Sequence, residues 1–277
     1  MIFAHHGIGI GAYPAIERHL LTFRDGLEPR PRDYRGTHWP GRKPGSYRWY
    51  ELQDAVDYWK LLESPKIFYP DITWRSSFCL DDAGLYTNNT VYFLPTRDSW
   101  LLAVLNSPLI WSYCWRHASH GKDEALRLFT DFMITLPIAS PSAAAREQAE
   151  AAVTKLIELK KADDLSRAGV LDALRMQYAV TEPGNKLLEF AALDSDAFVK
   201  EVLKRRPKAA GKLKAADMKS LREMYGDEGL PTQARRQEAL ALERRLGKLV
   251  NDAYGLTEED VALLWSTAPP RMPFKPE

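Results

Sequence analysis

The chain changes character near residues 137–142, and this change constrains its fold more than any other feature. All six histidines and seven of the eight tryptophans precede the turn-rich segment Pro-Ile-Ala-Ser-Pro-Ser, and only Trp265 follows it. The first part has short apolar runs separated by Pro, Gly, Asn and Asp, which is typical of strands, loops and short helices. The second part is rich in Ala, Glu, Lys, Leu and Arg, which indicates helices. We therefore predict an α+β fold with a mixed domain at 1–140 and a helical domain at 141–277.

Length and composition set the broad class of the protein. The chain has 277 residues, of which 45% are hydrophobic, so it can bury a sizeable core. Its 38 basic and 37 acidic residues give a net charge of +1, so no global field draws it towards polyanions. Any binding of nucleic acid must therefore come from local clusters of charge.

The cysteines, histidines and apolar runs indicate a cytoplasmic protein without a metal. Cys79 and Cys114 lack Cys-x-x-Cys or Cys/His ligand spacing, and the histidines have no carboxylate or thiol set nearby, so neither a disulfide framework nor a zinc site is expected. No apolar run approaches the roughly 20 residues that span a bilayer, and the N-terminus lacks the pattern of a signal peptide. We expect reduced thiols, a cytoplasmic location and no membrane partner.

Short apolar runs predict the secondary structure of the first domain. We expect a buried strand at 66–69, and strands at 77–80 and 91–94 joined as a hairpin through the turn at 81–84. The predicted helices are 55–62, 100–110 with a stop at Ser107-Pro108, and 125–132. The segment 24–46 is rich in Arg, Pro and Gly and lacks periodicity, so we expect a long surface loop there.

Apolar periodicity predicts two long helices in the second domain. Residues 142–161 repeat apolar side chains on one helical face, with Ser142 as the N-cap. Residues 234–254 form the second long helix, which ends at Gly255. Shorter helices are predicted at 194–205, at 215–225 and after Thr257, which is the expected N-cap with Asp260 three residues on. This pattern predicts a helical bundle or an antiparallel pair of long helices.

Five sequence blocks follow one another in a recognisable order in the first domain. They are Tyr-Arg-Trp-Tyr-Glu-Leu at 47–52, Pro-Lys-Ile-Phe-Tyr-Pro-Asp-Ile at 65–72, Tyr-Thr-Asn-Asn-Thr-Val-Tyr-Phe-Leu at 86–94, Leu-Leu-Ala-Val-Leu-Asn-Ser-Pro-Leu at 101–109 and Leu-Pro-Ile at 136–138. This order resembles the specificity domain that follows the catalytic domain in TaqI-like and Eco57I-like adenine-N6 DNA methyltransferases and type IIG restriction-modification enzymes. Residues 13–20 are similar to the entry into that domain, and 249–257 resemble the closing element of the same group.

The resemblance implies a module that recognises a short duplex DNA sequence and positions a catalytic partner. The chain lacks two motifs of the family, the glycine-rich loop for the methyl donor and the Asn/Asp-Pro-Pro-Tyr/Phe segment. The glycines at 7–11 do not form such a loop, because they follow no strand and precede Tyr13-Pro14. We therefore predict no catalytic, cofactor-binding or metal-binding residue. The resemblance places S-adenosylmethionine and the adenine-specific methyltransferase activity in a catalytic domain that is missing from this chain.

The segment 24–48 is the first of two basic clusters. It holds seven basic residues against three acidic ones, a net charge of +4. Arginines can contact phosphates or pair with guanine edges, and the interleaved tryptophans can stack or contact sugars. The candidate DNA-binding residues are Arg24, Arg30, Arg32, Arg35, Arg42, Lys43, Arg48 and Trp49. The alternative is a basic surface loop with structural tryptophans.

The segment 200–222 is the second basic cluster. It holds nine basic residues against two acidic ones, a net charge of +7. Lysines that contact phosphates supply affinity without sequence information. The candidate DNA-binding residues are Lys204, Arg205, Arg206, Lys208 and Lys212. The alternative is a solvated charged face.

Polar residues at 88–90 offer a further candidate contact. Asn can read adenine in the major groove, but Asn88-Asn89 between two strand-like runs is also ordinary turn chemistry. Recognition must vary with the DNA target while the scaffold must not. We therefore place base readout on loops and treat the five blocks as scaffold.

The sequence thus predicts the specificity part of a restriction-modification enzyme, with double-stranded DNA and a methyltransferase catalytic domain or subunit as partners. The alternative from another class is a protein-interaction subunit or decayed fragment that docks on a methyltransferase without binding DNA. Only the first hypothesis requires salt-sensitive affinity for DNA. A stand-alone nuclease is disfavoured, because the carboxylate-x-Lys triplets at 158–160 and 217–219 lie in helical contexts.

Overall fold

The structure is a computed structural model that describes residues 2–275, and Met1, Pro276 and Glu277 lie outside the described residues. The α-helices are α1 Pro14–Leu21, α2 Arg24–Leu27, α3 Ser99–Leu105, α4 Pro108–His117, α5 Thr130–Met133, α6 Ala143–Tyr178, α7 Gly184–Leu188, α8 Ser195–Arg205, α9 Ala215–Met224, α10 Leu230–Ala253 and α11 Glu258–Ser266. The strands are β1 Lys66–Pro70, β2 Ile72–Thr73, β3 Cys79–Asp81, β4 Val91–Leu94, β5 Ser119–His120 and β6 Leu126–Arg127. The predicted α+β class is confirmed.

Two small sheets lie in the first half of the chain. In one sheet β1 lies between β3 and β4, and it pairs antiparallel with β4 from Ile67 opposite Leu94 to Pro70 opposite Val91. In the other sheet β6 lies between β2 and β5. The buried strand predicted at 66–69 is confirmed as β1, whose first four residues are buried. The central strands are thus β1 in the first sheet and β6 in the second, and each has a hydrogen-bonded neighbour on both sides.

The predicted hairpin between 77–80 and 91–94 is wrong. Both strands exist, as β3 and β4, but each pairs with β1 rather than with the other. The buried ammonium of Lys66 explains the position of β3, because it donates to the Asp81 carboxylate and to the Leu62 carbonyl, both at 2.5 Å. Separating the two partners of a buried ion pair is strongly destabilising, so this pair holds β3 beside β1.

The helix predicted at 125–132 is also wrong. Two of its eight residues, Leu126 and Arg127, form strand β6, in which the backbone of Arg127 pairs with Ile72. The guanidinium of Arg127 reinforces this pairing by an ion pair with Asp71 at 2.7 Å. Tertiary pairing thus overrides the local apolar pattern, and only the short α5 is helical.

The Ser107-Pro108 pair starts one helix as well as ending another. The helix predicted at 100–110 is present as α3, which ends before the predicted stop. A second helix, α4, begins at Pro108 and was not predicted. The Ser107 hydroxyl accepts the Ile110 amide at 3.2 Å as an N-cap, and proline at the first helical position needs no hydrogen-bond partner. The helix predicted at 55–62 is confined to a 3-10 turn at Trp59–Glu63.

The two long helices are antiparallel, as predicted. α6 begins after its N-cap Ser142, and it continues well beyond the predicted end at residue 161. Arg245 of α10 donates to Gln148 near the start of α6, whereas Arg235 donates to Asp163 further along it. Rising residue numbers on one helix therefore meet falling numbers on the other. No helix within residues 2–275 has both the length and the apolar character needed to cross a bilayer.

The chain forms two compact units, one with residues up to 66 and 81–86, and one with 67–80 and everything from 87 onward. In the second unit, side chains of β1, α3 and α4 share a large core with Ala149 of α6 and Val250 of α10. A smaller core of that unit lies between α6, α8 and α9. The large core contains residues from both sides of position 140, and the division into domains 1–140 and 141–277 stays a prediction.

Candidate nucleic-acid interface

Residues 30–41, named the arginine loop, form a closed surface loop in the first unit. The Arg30 amide donates to the Arg42 carbonyl at 3.0 Å, and the Arg42 amide donates to the Glu28 carbonyl at the same distance. Compact surface loops whose ends meet in this way are frequently functional. The loop predicted at 24–46 begins with the short helix α2, which was not predicted; the rest is irregular in secondary structure and fixed at its base.

Arg42 holds the base of the arginine loop from the inside. Its guanidinium donates to four backbone carbonyls at 2.7–3.3 Å. The accepting residues are Leu27, Arg48, Trp49 and Glu51. The guanidinium also lies 4.5 Å from the centre of the Tyr47 ring. These contacts direct Arg42 towards the protein, where its guanidinium positions the base of the loop.

Glu51 anchors the same base with a buried carboxylate. Its side-chain oxygens accept the Gly7 amide at 2.8 Å and the Arg48 amide at 2.7 Å, and the residue is only 4% exposed. Burial raises the pKa of Glu51, but these two amides and the charge of Arg48 outweigh burial and hold the pKa below its usual range. The carboxylate is therefore ionised at neutral pH and secures the backbone that leads out of the loop.

The arginine loop also has a small interior of its own. The Tyr34 ring meets the Trp39 ring edge to face at 5.1 Å, and the Tyr34 hydroxyl donates to the His38 carbonyl. The Trp39 indole N–H donates to the Glu28 carbonyl at 3.0 Å. At Gly41 a Cβ atom would lie 2.1 Å from that same carbonyl, so no larger residue fits. The loop is therefore packed by its own side chains.

Three arginines of the loop point to no protein partner. Arg30, Arg32 and Arg35 are exposed, and none forms a side-chain hydrogen bond or ion pair with any residue from 2 to 275. Arginines presented on an ordered backbone lose less conformational entropy on binding than arginines on a mobile segment. Their guanidinium groups are free to bind phosphates or base edges.

The remaining candidates of the first cluster already have partners on the surface of the protein. They are Arg24 with Glu28, Lys43 with Asp54, and Arg48 with the Tyr50 hydroxyl. The Arg24 guanidinium also lies 5.1 Å from the centre of the Trp49 ring, which keeps Trp49 partly covered. Exposed ion pairs contribute only about 0–1 kcal/mol, so a phosphate could compete for these cations.

The second cluster, in the second unit, divides into inward and outward cations in the same way. Arg206 donates to three backbone carbonyls, and Arg205 donates to Glu201 at 2.9 Å. The exposed candidates without a side-chain partner in the described part of the chain are Lys204, Lys208 and Lys212. The structure thus separates this group of candidates by the direction of each side chain.

Sequence reasoning missed a group of exposed side chains beside the sheet of β2, β5 and β6. Trp74 is 44% exposed and donates its indole N–H to the Asp123 carbonyl at 3.0 Å. Asp123 and Glu124 both have positive φ, at 56° and 60°, in a turn that also exposes Lys122. Consecutive left-handed residues other than glycine are strained, and such strain clusters at binding sites. The available signal was the pair Trp74-Arg75 directly after the block at 65–72.

The polar residues at 88–90 form a turn, as expected. The Asn88 side-chain oxygen accepts the amide of Thr90 at 3.1 Å and its hydroxyl at 2.5 Å. This arrangement occupies the acceptor that would pair with adenine. The geometry is that of a local turn stabilised by its own side chain.

The described residues bring together no group that could hold a metal. Among residues 2–275, no three His, Cys, Asp or Glu side chains lie close enough for that purpose. Burial raises the pKa of the Cys114 thiol to about 12, so this thiol is protonated and unreactive at neutral pH.

Comparison with known families matches two separate segments of the chain. Residues 34–138 match the TaqI-like C-terminal specificity domain, which confirms the resemblance drawn from the sequence blocks. The matched segment includes the arginine loop from residue 34 onward. Residues 142–250 match a domain of unknown function, DUF8810.

Comparison with characterised proteins finds similarity to a methyltransferase. The chain is 26% identical over 166 residues to the type II methyltransferase M.PaeR7I of Pseudomonas aeruginosa. The alignment covers 56% of this chain but only 27% of that protein. The family match and this relative together indicate a specificity role in a DNA methyltransferase system.

Proposed function

We propose that this chain, which carries a TaqI-like specificity domain, recognises a short sequence in duplex DNA on behalf of a methyltransferase. The observation that carries the proposal is the family match over residues 34–138. The arginine loop supports it from the geometry, because three unpartnered arginines are displayed on a backbone fixed at both ends. A positioned guanidinium can donate two parallel hydrogen bonds to guanine or to a phosphate.

In this proposal the residues of the first cluster have distinct roles. Arg32 and Arg35, which lie between the two ends of the arginine loop, read base edges. Arg42 and Glu51 hold the base of the loop and touch no DNA. Arg30, next to the closing hydrogen bonds, and the paired cations Arg24, Lys43 and Arg48 contribute phosphate contacts, which position the duplex but do not specify its sequence.

The proposal requires a catalytic partner that supplies the chemistry. By the family resemblance, that domain or subunit binds S-adenosylmethionine, takes the target adenine out of the helix and methylates it at N6. Duplex DNA is the substrate in this proposal, and we place the complex in the cytoplasm. The contribution of this chain is to choose the site and to hold the duplex in register with the partner.

The test is selection from random duplex DNA. The purified chain is incubated with a pool of duplexes at low and moderate salt, and the retained molecules are sequenced. We expect enrichment of one short motif, and R32A/R35A abolishes the enrichment while leaving the protein folded. Retention of no DNA at any salt concentration would overturn the proposal and favour a subunit that docks on a methyltransferase without touching DNA.

A matched variant controls for charge. R18A/K60A removes two cations from the same unit but outside the arginine loop. We expect this variant to enrich the same motif as the unmodified chain. If both double variants lost the motif equally, general charge rather than the arginine loop would account for recognition.

A further inference from the structure

Residues 206–214, named the lysine loop, connect α8 to α9 and are closed from the inside by one arginine. The Arg206 guanidinium donates to the carbonyls of Tyr178 and Gly211 at 2.9 Å and to that of Ala210 at 3.1 Å. Gly211 has φ +72°, a conformation that favours glycine, and there the chain turns back towards Arg206. The loop is thereby fixed to the C-terminal end of α6.

Three lysines on and beside this loop have no hydrogen-bonded or ion-paired partner in the described part of the chain. Lys204, Lys208 and Lys212 are exposed, and none forms a side-chain hydrogen bond or ion pair within the described residues 2–275. Three of the four lysines on the long helices behave differently, because each lies within 3.7 Å of a carboxylate oxygen. Those paired lysines are Lys155, Lys160 and Lys248. The fold therefore does not account for the three unpaired cations.

Each of the acidic side chains nearest in sequence already has a hydrogen-bond or ion-pair partner. The pairs are Asp217 with the Lys214 amide at 2.7 Å, Asp196 with Arg222 at 3.0 Å, and Glu201 with Arg205 at 2.9 Å. The segment 200–222 keeps its nine basic residues against two acidic ones in a chain whose net charge is only +1. The excess of positive charge is thus concentrated in this segment of the chain, where it can attract an anionic partner.

We propose that the lysine loop, together with Lys204, binds backbone phosphates of duplex DNA without reading its sequence. A lysine ammonium is a compact point charge on a flexible stem, which suits phosphates but lacks the planar geometry that reads a base edge. The choice of DNA as the polyanion rests on the proposed function of the chain. The inference gives a role to the part of the chain that matches a domain of unknown function.

The experiment measures binding to a duplex of arbitrary sequence. The full chain and the variant K204A/K208A/K212A are titrated against a short fluorescein-labelled duplex, and anisotropy is read between about 50 and 200 mM salt. We expect the slope of log affinity against log salt to become shallower by about 3, one unit for each phosphate that the variant no longer neutralises. The circular dichroism spectrum and the melting temperature should not change, because the three side chains support no contact in the fold.

The control variant is K155A/K160A/K248A, which removes the same number of charges from lysines that are ion paired. We expect its salt slope to stay within about one unit of the unmodified chain. An unchanged slope in the loop variant, or an equal change of slope in both variants, would overturn the proposal. Unchanged DNA binding with loss of binding to the methyltransferase subunit would also overturn it, in favour of an acidic protein partner.

The result is separable from that of the proposed function. Motif enrichment depends on Arg32 and Arg35, whereas the salt slope on arbitrary duplex depends on the lysine loop. A chain that enriches a motif but shows no slope change in the loop variant would retain the proposed function and lose this inference. A chain that enriches no motif but shows the slope change would lose the proposed function and retain the binding of phosphates by the lysine loop.

Discussion

The arginine loop and the lysine loop are built alike but display different cations. Each is closed by one inward arginine, with Arg42 donating to four backbone carbonyls and Arg206 to three. The arginine loop packs Tyr34 against Trp39, whereas the lysine loop contains no aromatic residue. Within a basic cluster, therefore, some cations stabilise the fold and others remain available to a partner.

The difference between the loops suits two kinds of contact. An aromatic interior gives the arginine loop a defined shape, which base recognition needs because a bidentate contact tolerates little error in position. Phosphate contacts are less directional, so the lysine loop can display its cations without such an interior. Variants that separate the inward arginines from the outward cations test this distinction.

Replacing Arg42 by Ala should give the greatest loss of stability. Four carbonyls lose a charged donor, and we expect the free energy of unfolding to fall by about 3 kcal/mol, since a hydrogen bond to a charged group contributes about 1.5–3 kcal/mol and such losses are not additive. Urea denaturation followed by tryptophan fluorescence measures it. R35A is the matched control and should change stability by less than about 0.5 kcal/mol. Equal stabilities for the two variants would contradict the structural role of Arg42.

Replacing Arg206 by Ala should give a smaller loss of stability. This loss should be confined to the smaller core of the second unit. Three carbonyls lose their donor, so we expect a loss of about 2 kcal/mol and faster hydrogen exchange at residues 206–214. K208A should leave the exchange rates unchanged, because Lys208 has no protein partner in the described chain. Slow exchange retained in R206A would show that the guanidinium does not hold the loop.

Single substitution of Arg32 or Arg35 should affect recognition without affecting the fold. Removal of one bidentate pairing reduces discrimination between the retained motif and a singly mismatched duplex by about 1.5 kcal/mol. Competition binding between the two duplexes measures it, and K43A serves as a control that should lower the affinity for both duplexes equally. A uniform fall in affinity for R32A and R35A would assign these arginines to phosphates rather than to bases.

Mild acid should loosen the base of the arginine loop through Glu51, with the smallest effect of the four. The pKa of the folded carboxyl lies below the value of about 4.3 in an unfolded chain, so ionised Glu51 stabilises the folded state above that pH. The stabilisation is lost as pH falls through the folded pKa, where the unfolded state has already bound the proton. Unfolding measured between about pH 6 and 3 should show this loss, and E51Q should reduce the slope.

Local signals in the sequence predicted where some helices of the second part begin. The N-cap at Ser142 and the capping box of Thr257 with Asp260 need only neighbouring residues, and both are found as predicted. The hairpin of β3 and β4 failed because Lys66 and Asp81, which hold β3 beside β1, lie far apart in sequence. The helix at 125–132 failed for the same reason, since strand pairing is not visible locally.

The sequence predicted where the basic residues of the candidate site cluster, but not which of their side chains point into the protein and which point outward. The sequence identified both basic clusters, yet it gave Arg42 and Arg35 the same role because composition does not show which way a side chain points. The inward arginines depend on carbonyls that the fold brings together, such as Tyr178 with Gly211 around Arg206. The exposed Trp74 was missed because its turn is formed by residues far along the chain.

The central claim is that the outward cations of the two loops contact DNA while the inward arginines do not. Hydrogen exchange of the full chain, alone and with a duplex, tests it most directly. With the duplex retained in selection, we predict slower exchange at residues 30–41 and at 206–214. With a mismatched duplex the slowing at 206–214 is retained, whereas that at 30–41 is weaker. Unchanged exchange at both loops with the retained duplex would contradict the claim.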